Sequence, residues 1–206
     1  MNVPSSGLAC AALALFGSLT CAAQSGWLSE PAVQQRLAQG QVVVESAHAI
    51  DAAAPRGQVR AAVRIAASPE YIWRVMTDCA QAPLYVPGLT RCRRVDIAAD
   101  GSWEDIEHEV RFSKLLPPLH YVFHAQYDRP RRMDFHRISG DLKEQNGTWL
   151  LTATPDGAAT VVEYEVYVDP GFWIPQSLVE RMLRTDVPEV LSGLRERVAQ
   201  EQRRSP

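Results

Sequence analysis

His108 and Arg137 carry the side chains that proton transfer next to a carbonyl would need. An imidazole can take a proton from an activated methylene, and a guanidinium can stabilise the enolate that results. The same two groups could instead hold the polar head of a bound molecule, with Tyr121, Tyr127 and Tyr164 as further donors. A third reading is purely internal, because a buried imidazole or guanidinium needs a hydrogen-bonded partner wherever it lies. Three more histidines, His120, His124 and His136, are of the ligand type that zinc takes, and a turn at residues 129–131 would set His136 opposite His124. No Cys or clear carboxylate completes that set, so they are read as solvated, and neither a metal nor a cofactor is expected. The chain has no Gly-rich phosphate loop, paired-cysteine metal motif or nucleophile elbow.

The elements that position these residues show as one-sided alternation from Trp103 to Val168. Over 103–112, Ile106, His108, Val110 and Phe112 share one face, while Asp105, Glu107, Glu109 and Arg111 share the other. Over 120–128 the inward set is Tyr121, Phe123, Ala125 and Tyr127. It is Met133, Phe135 and, by parity, Arg137 over 131–139, and Val162, Tyr164, Val166 and Val168 over 159–168. Reversals are expected at Asp100-Gly101, Arg129-Pro130, Asn146-Gly147 and Asp156-Gly157, dipeptides that supply a positive or fixed φ. This is the pattern of a curved antiparallel sheet with one apolar face.

A long amphipathic helix follows over 176–200, with Leu178, Val179, Met182, Leu183, Val187, Val190, Leu191, Leu194 and Val198 at helical spacing. Pro188 predicts a kink or break near 185–188, with Asp186 able to cap a restarted segment. The stripe is either core or, at Met182 and Leu183, a surface turned to a ligand. Before the sheet, Ser29 as N-cap, Pro31 and Gly40 mark a helix over 29–39. Strands are expected over 41–49 and 58–65. A second helix is opened by Ser68 and Pro69, presents Ile72, Trp73, Val75 and Met76, and ends near Asp78.

The strand 59–65, the run Ala-Ala-Ser-Pro-Glu-Tyr-Ile-Trp-Arg-Val-Met-Thr-Asp at 66–78, and Tyr-Val-Pro-Gly-Leu at 85–89 resemble the opening of the START-like (SRPBCC) superfamily's polyketide cyclase/dehydrase group, which includes coenzyme Q-binding proteins. Residues 138–149, Thr160-Val-Val-Glu-Tyr164 and the terminal helix resemble the same group in the same order, so the likeness covers 58–200. The resemblance implies an α+β helix-grip fold, in which an antiparallel sheet wraps a long C-terminal helix around an apolar cavity. It also implies a carrier or sensor of lipids, quinones or polyketides more often than an enzyme. Members that act at intracellular ribosomes or mitochondrial membranes lack a bacterial-type signal peptide like the one described below, so neither role is carried over.

Residues 8–19 form an uncharged run too short to span a bilayer, and small residues at 21–23 precede Gln24. This reads as a signal peptide over 1–23, removed on export, with the periplasm as the expected destination. An N-terminal extension over 24–57, the ligand-binding domain over 58–200 and a polar tail over 201–206 complete the organisation. The formal charge of −3, with arginines interspersed among acids, excludes a nucleic-acid binder. After residues 1–23 two cysteines remain, Cys79 and Cys92, which either pair in an oxidising compartment or stay as two buried thiols. Three loops, 85–89, 114–119 and 171–175, are rich in Pro and large apolar residues. They either pack over a cavity mouth or make transient membrane contact through Leu115, Leu116, Phe172 and Trp173.

The expectation is therefore an exported binding protein for a hydrophobic small molecule held in an internal cavity. Its lining is expected to be Ile106, His108, Val110, Phe112, Tyr121, Phe123, Tyr127, Phe135, Arg137, Tyr164, Met182 and Leu183. The alternatives are a cyclase or dehydrase using His108 and Arg137, and a structural or interaction domain whose cavity is filled by its own side chains.

Overall fold

The computed structural model describes residues 26–46, 57–111, 117–171 and 176–204, with side chains in the last segment from Leu183 onward. Eight strands form one curved antiparallel sheet. They are β1 (Val43–Ser46), β2 (Gln58–Ile65), β3 (Leu89–Ile97), β4 (Trp103–Val110), β5 (Leu119–Asp128), β6 (Arg132–Gly140), β7 (Glu144–Ala153) and β8 (Thr160–Asp169). Their spatial order is β1-β2-β8-β7-β6-β5-β4-β3, so strands β3 to β8 form a meander that returns to β2. Among the described residues three α-helices accompany the sheet: α1 (Pro31–Ala38), α2 (Pro69–Met76) and α3 (Gln176–Arg204).

Local chemistry accounts for α2 as expected. The Ser68 hydroxyl accepts from the Tyr71 N–H at 3.3 Å, Pro69 fills the first turn, and Ile72, Trp73, Val75 and Met76 are buried. Helix α1 starts later than expected, with Glu30 rather than Ser29 in the cap position. Ser29 is drawn into a 3-10 turn, Gly26–Ser29, that buries Trp27 and Leu28. Those two side chains and Leu37 pack on Val43, Ala62 and Val161, covering the outer face of β1, β2 and β8.

Helix α3 lies on the opposite face, against β1, β2, β8 and α2. Val187, Val190, Leu191, Leu194 and Val198 are buried there with Ala61, Val63, Val162 and Val166. The expected break at Pro188 does not occur: α3 is one helix from Gln176 to Arg204. Proline removes one backbone hydrogen bond, but buried valines and leucines on both sides of it hold the helix to the sheet.

Gly101 and Gly157 take the positive φ values, 68° and 66°, that their turns require. Asn146-Gly147 is not a turn but lies inside β7. A Cβ at Gly147 would stand 2.5 Å from Phe135 Cζ and against the Glu165 carbonyl, so the glycine serves close packing rather than reversal. The arginine cluster 91–94 lies within edge strand β3. There Arg93 Nε is 2.8 Å from Glu107, and Arg94 Nε is 2.8 Å from the buried Glu104.

Candidate functional site

A cavity of about 110 Å³ lies between the concave face of the sheet, α3 and the segment following α2. Strand alternation delivers Ile106 and His108 from β4, Tyr121 and Phe123 from β5, Met133 and Phe135 from β6, Gln145 and Trp149 from β7, and Tyr164 from β8. Val190 of α3 lines it too. The remaining wall runs from Met76 to Val86 and includes Cys79, Ala82 and Tyr85, with Cys92 of β3 alongside. Cys79 and Cys92 are joined by a disulfide, with Cα atoms 5.1 Å apart. Of the two readings open from sequence, the paired one is the structure's, and the bond is part of the cavity wall. The Tyr85 hydroxyl donates to the Met76 carbonyl at 2.8 Å and ties that wall to the end of α2.

The interior is aromatic. Trp149 and Tyr164 stack at 4.0 Å, Phe123 meets Phe135 edge-on at 5.9 Å, and His108 meets Phe123 edge-on at 4.9 Å. Its polar lining includes Thr77, Asp78, His108, Tyr121 and Gln145. His108 Nδ1 lies 3.3 Å from the Tyr121 hydroxyl, and that hydroxyl also interacts with the side chain of Gln145. Burial pushes His108 down to about 4 and Tyr121 up to about 12, so both are neutral at ordinary pH. Burial raises Tyr164 as well. No Lys or Arg is among the described lining residues, so a charged carboxylate or phosphate would find no counter-charge there.

Several residues expected at the cavity lie elsewhere. Val110 is buried, but it packs with Leu89 and beside Gly88 in solid core. Tyr127 meets Trp73 edge-on at 5.4 Å, has Arg129 4.9 Å from its ring and faces the Glu104 side of the sheet. Leu183 packs against the core without lining the cavity. Arg137 does share the concave side with its partner Phe123. However, the β6–β7 pairing ends at His136, and a bulge displaces the β5–β6 register beside Phe123, so Arg137 stands past the last β6–β7 pair. Its Nη2 donates to the Gly140 carbonyl at 2.8 Å, and it does not line the cavity. Phe112 and the Met182 side chain, like Leu115, Leu116, Phe172 and Trp173, lie outside the described residues.

On the outer face His124 and His136 pair across β5 and β6, with rings 5.3 Å apart. A carboxylate missed in the sequence, Asp105, sits 2.7 Å from His124 Nδ1, whereas His120 lies 4.0 Å from Glu109. Among the described residues no three such groups converge as metal ligands would. Gln145 and Trp149 were also missed, because the Asn-Gly dipeptide was taken for a reversal. Read as a strand, 144–153 would have put both on the inward parity.

The fold agrees with comparisons to known proteins. Residues 65–195 match the family model described as polyketide cyclase/dehydrase and lipid transport, and the chain belongs to that family. A START superfamily protein from Mycobacterium smegmatis is similar at 18% identity and TM-score 0.61, over 69% of this chain and 97% of that one. A STAR-related lipid transfer protein fragment from Xanthomonas axonopodis is 17% identical, with TM-score 0.61, over 77% and 92%. The Zhui aromatase/cyclase from Streptomyces sp. R1128 is 13% identical, with TM-score 0.54, over 69% and 93%. At such identities the likeness is one of fold. No match is found among curated proteins. Family membership supports hydrophobic small-molecule binding in general terms.

Proposed function

We propose that the protein is an exported carrier or binding protein for an uncharged hydrophobic small molecule of the lipid, quinone or polyketide kind. The observation that carries this reading is the cavity itself, with aromatic walls, a neutral His108–Tyr121–Gln145 cluster, Asp78 as its acidic lining residue and no Lys or Arg among its described lining residues. Sites for small molecules combine apolar walls with a few convergent polar groups in this way. Export is supported by the uncharged run at 8–19 and by the disulfide, a bond that persists in oxidising compartments. Leu115, Leu116, Phe172 and Trp173 remain the proposed points of membrane contact.

The cyclase or dehydrase reading has one observation in its favour, the His108–Tyr121 contact at 3.3 Å. It loses its proposed enolate clamp, because Arg137 is turned to Gly140. An imidazole pushed down to about 4 is also a weak base near neutrality. Carriage is therefore the better-supported function. Mass spectrometry of an organic extract from natively purified protein tests it. A stoichiometric neutral hydrophobic molecule is expected, and conversion of that molecule by fresh protein into a cyclised or dehydrated product would overturn the carrier reading.

A further inference from the structure

The strongest unexplained feature of the cavity is an acceptor. Gln145 Oε1 is buried and has no hydrogen-bond partner, although the residue lines the cavity. The same side chain interacts with the Tyr121 hydroxyl, which lies 3.3 Å from His108 Nδ1. Beside that pair the Gln145 carbonyl oxygen is an open acceptor valence. A buried carbonyl without a partner is costly, and a ligand that brings a donor relieves that cost.

We propose that Gln145 is the specificity residue of the cavity and selects a ligand whose aromatic head carries a hydroxyl, a phenol rather than the corresponding quinone or unsubstituted ring. The walls favour a flat head, because the Trp149–Tyr164 stack and the Phe123–Phe135 edge contact offer planar surfaces. A volume of about 110 Å³ suits a ring-sized group, since a cavity of ~150 Å³ takes benzene. A hydroxyl delivered to Gln145 Oε1 adds a bond that a carbonyl oxygen, itself an acceptor, cannot make. This inference rests on the cavity being a ligand site, as proposed above.

The test uses phenol, fluorobenzene and 1,4-benzoquinone, measured calorimetrically against the full mature protein and Gln145→Met. Wild type is expected to bind phenol at least tenfold more tightly than either other compound. In Gln145→Met the phenol preference should disappear while fluorobenzene binding is retained, which also shows that the variant is folded. Equal affinities in wild type, tighter binding of the quinone, or a phenol preference that survives Gln145→Met would overturn the assignment. Wild type that binds fluorobenzene without preferring phenol leaves the ligand-site reading intact and removes only the role of Gln145. Binding of none of the three overturns both.

Discussion

His108 and Tyr121 face one another as directly paired residues of β4 and β5, with the imidazole Nδ1 3.3 Å from the phenol oxygen. The pair is polar, uncharged and enclosed by aromatic rings, so its cost of charging is what makes it sensitive to pH.

Unfolding exposes an imidazole of ordinary pKa 6.5, whereas the folded one is held down to about 4 by burial. Between those values the unfolded state binds the proton that the folded state refuses, so stability falls as pH drops. Full stability from this group is expected above about pH 6.5, with a loss of about 1–3 kcal/mol on reaching pH 4. Denaturant titrations across that range should show the loss in wild type and a flatter profile in His108→Gln. Parallel profiles would contradict the burial of a neutral imidazole.

Phe123 lines the cavity and Val110 does not, so enlarging the two should have opposite consequences. Phe123→Trp should consume ligand space with little change in Tm. Val110→Trp overpacks solid core and should destabilise by about 1–3 kcal/mol. Thermal melts and probe binding on both variants separate the effects, and a destabilised Phe123→Trp would mean that the free volume is not available to added atoms.

The Cys79–Cys92 bond closes a 13-residue loop that forms part of the cavity wall. Replacing both cysteines by serine should cost about 2–4 kcal/mol. A reductant should lower the Tm of wild type and leave the double variant unmoved. Equal sensitivity of the two would show that the bond is absent in solution.

The export proposal fixes an N-terminus. Protein recovered from its native compartment should begin at or near Gln24 on terminal sequencing, and an intact Met1 would remove that proposal.

The sheet was legible because alternation reports which face a side chain takes. That parity put Ile106, His108, Tyr121, Phe123, Phe135 and Tyr164 on the cavity wall. Parity does not report how far along a strand the cavity extends, so Val110 and Tyr127 were placed at a wall that ends short of them. Nor does it see a bulge, which is why Arg137 was assigned to a site that it does not line. Gln145 was hidden by a competing local signal: Asn146-Gly147 has hairpin chemistry, but the glycine is there to admit the Phe135 ring. Pro188 misled in the same way, because helix α3 is held by burial that a single residue's propensity does not reveal.

The packing of α1 gives the molecule a stiff side and a compliant side. At β1, β2 and β8 the sheet is clamped between two apolar layers, with Trp27, Leu28 and Leu37 outside and α3 inside. At β4, β5 and β6 the outer surface is polar, carrying Asp105, His124 and His136, and the inner surface borders free volume. A plate bolted along one margin bends along the other. On the reading of the cavity as a ligand site, the margin free to yield to a guest larger than the resting cavity is β4–β6, with β2, β8 and α3 as the fixed support.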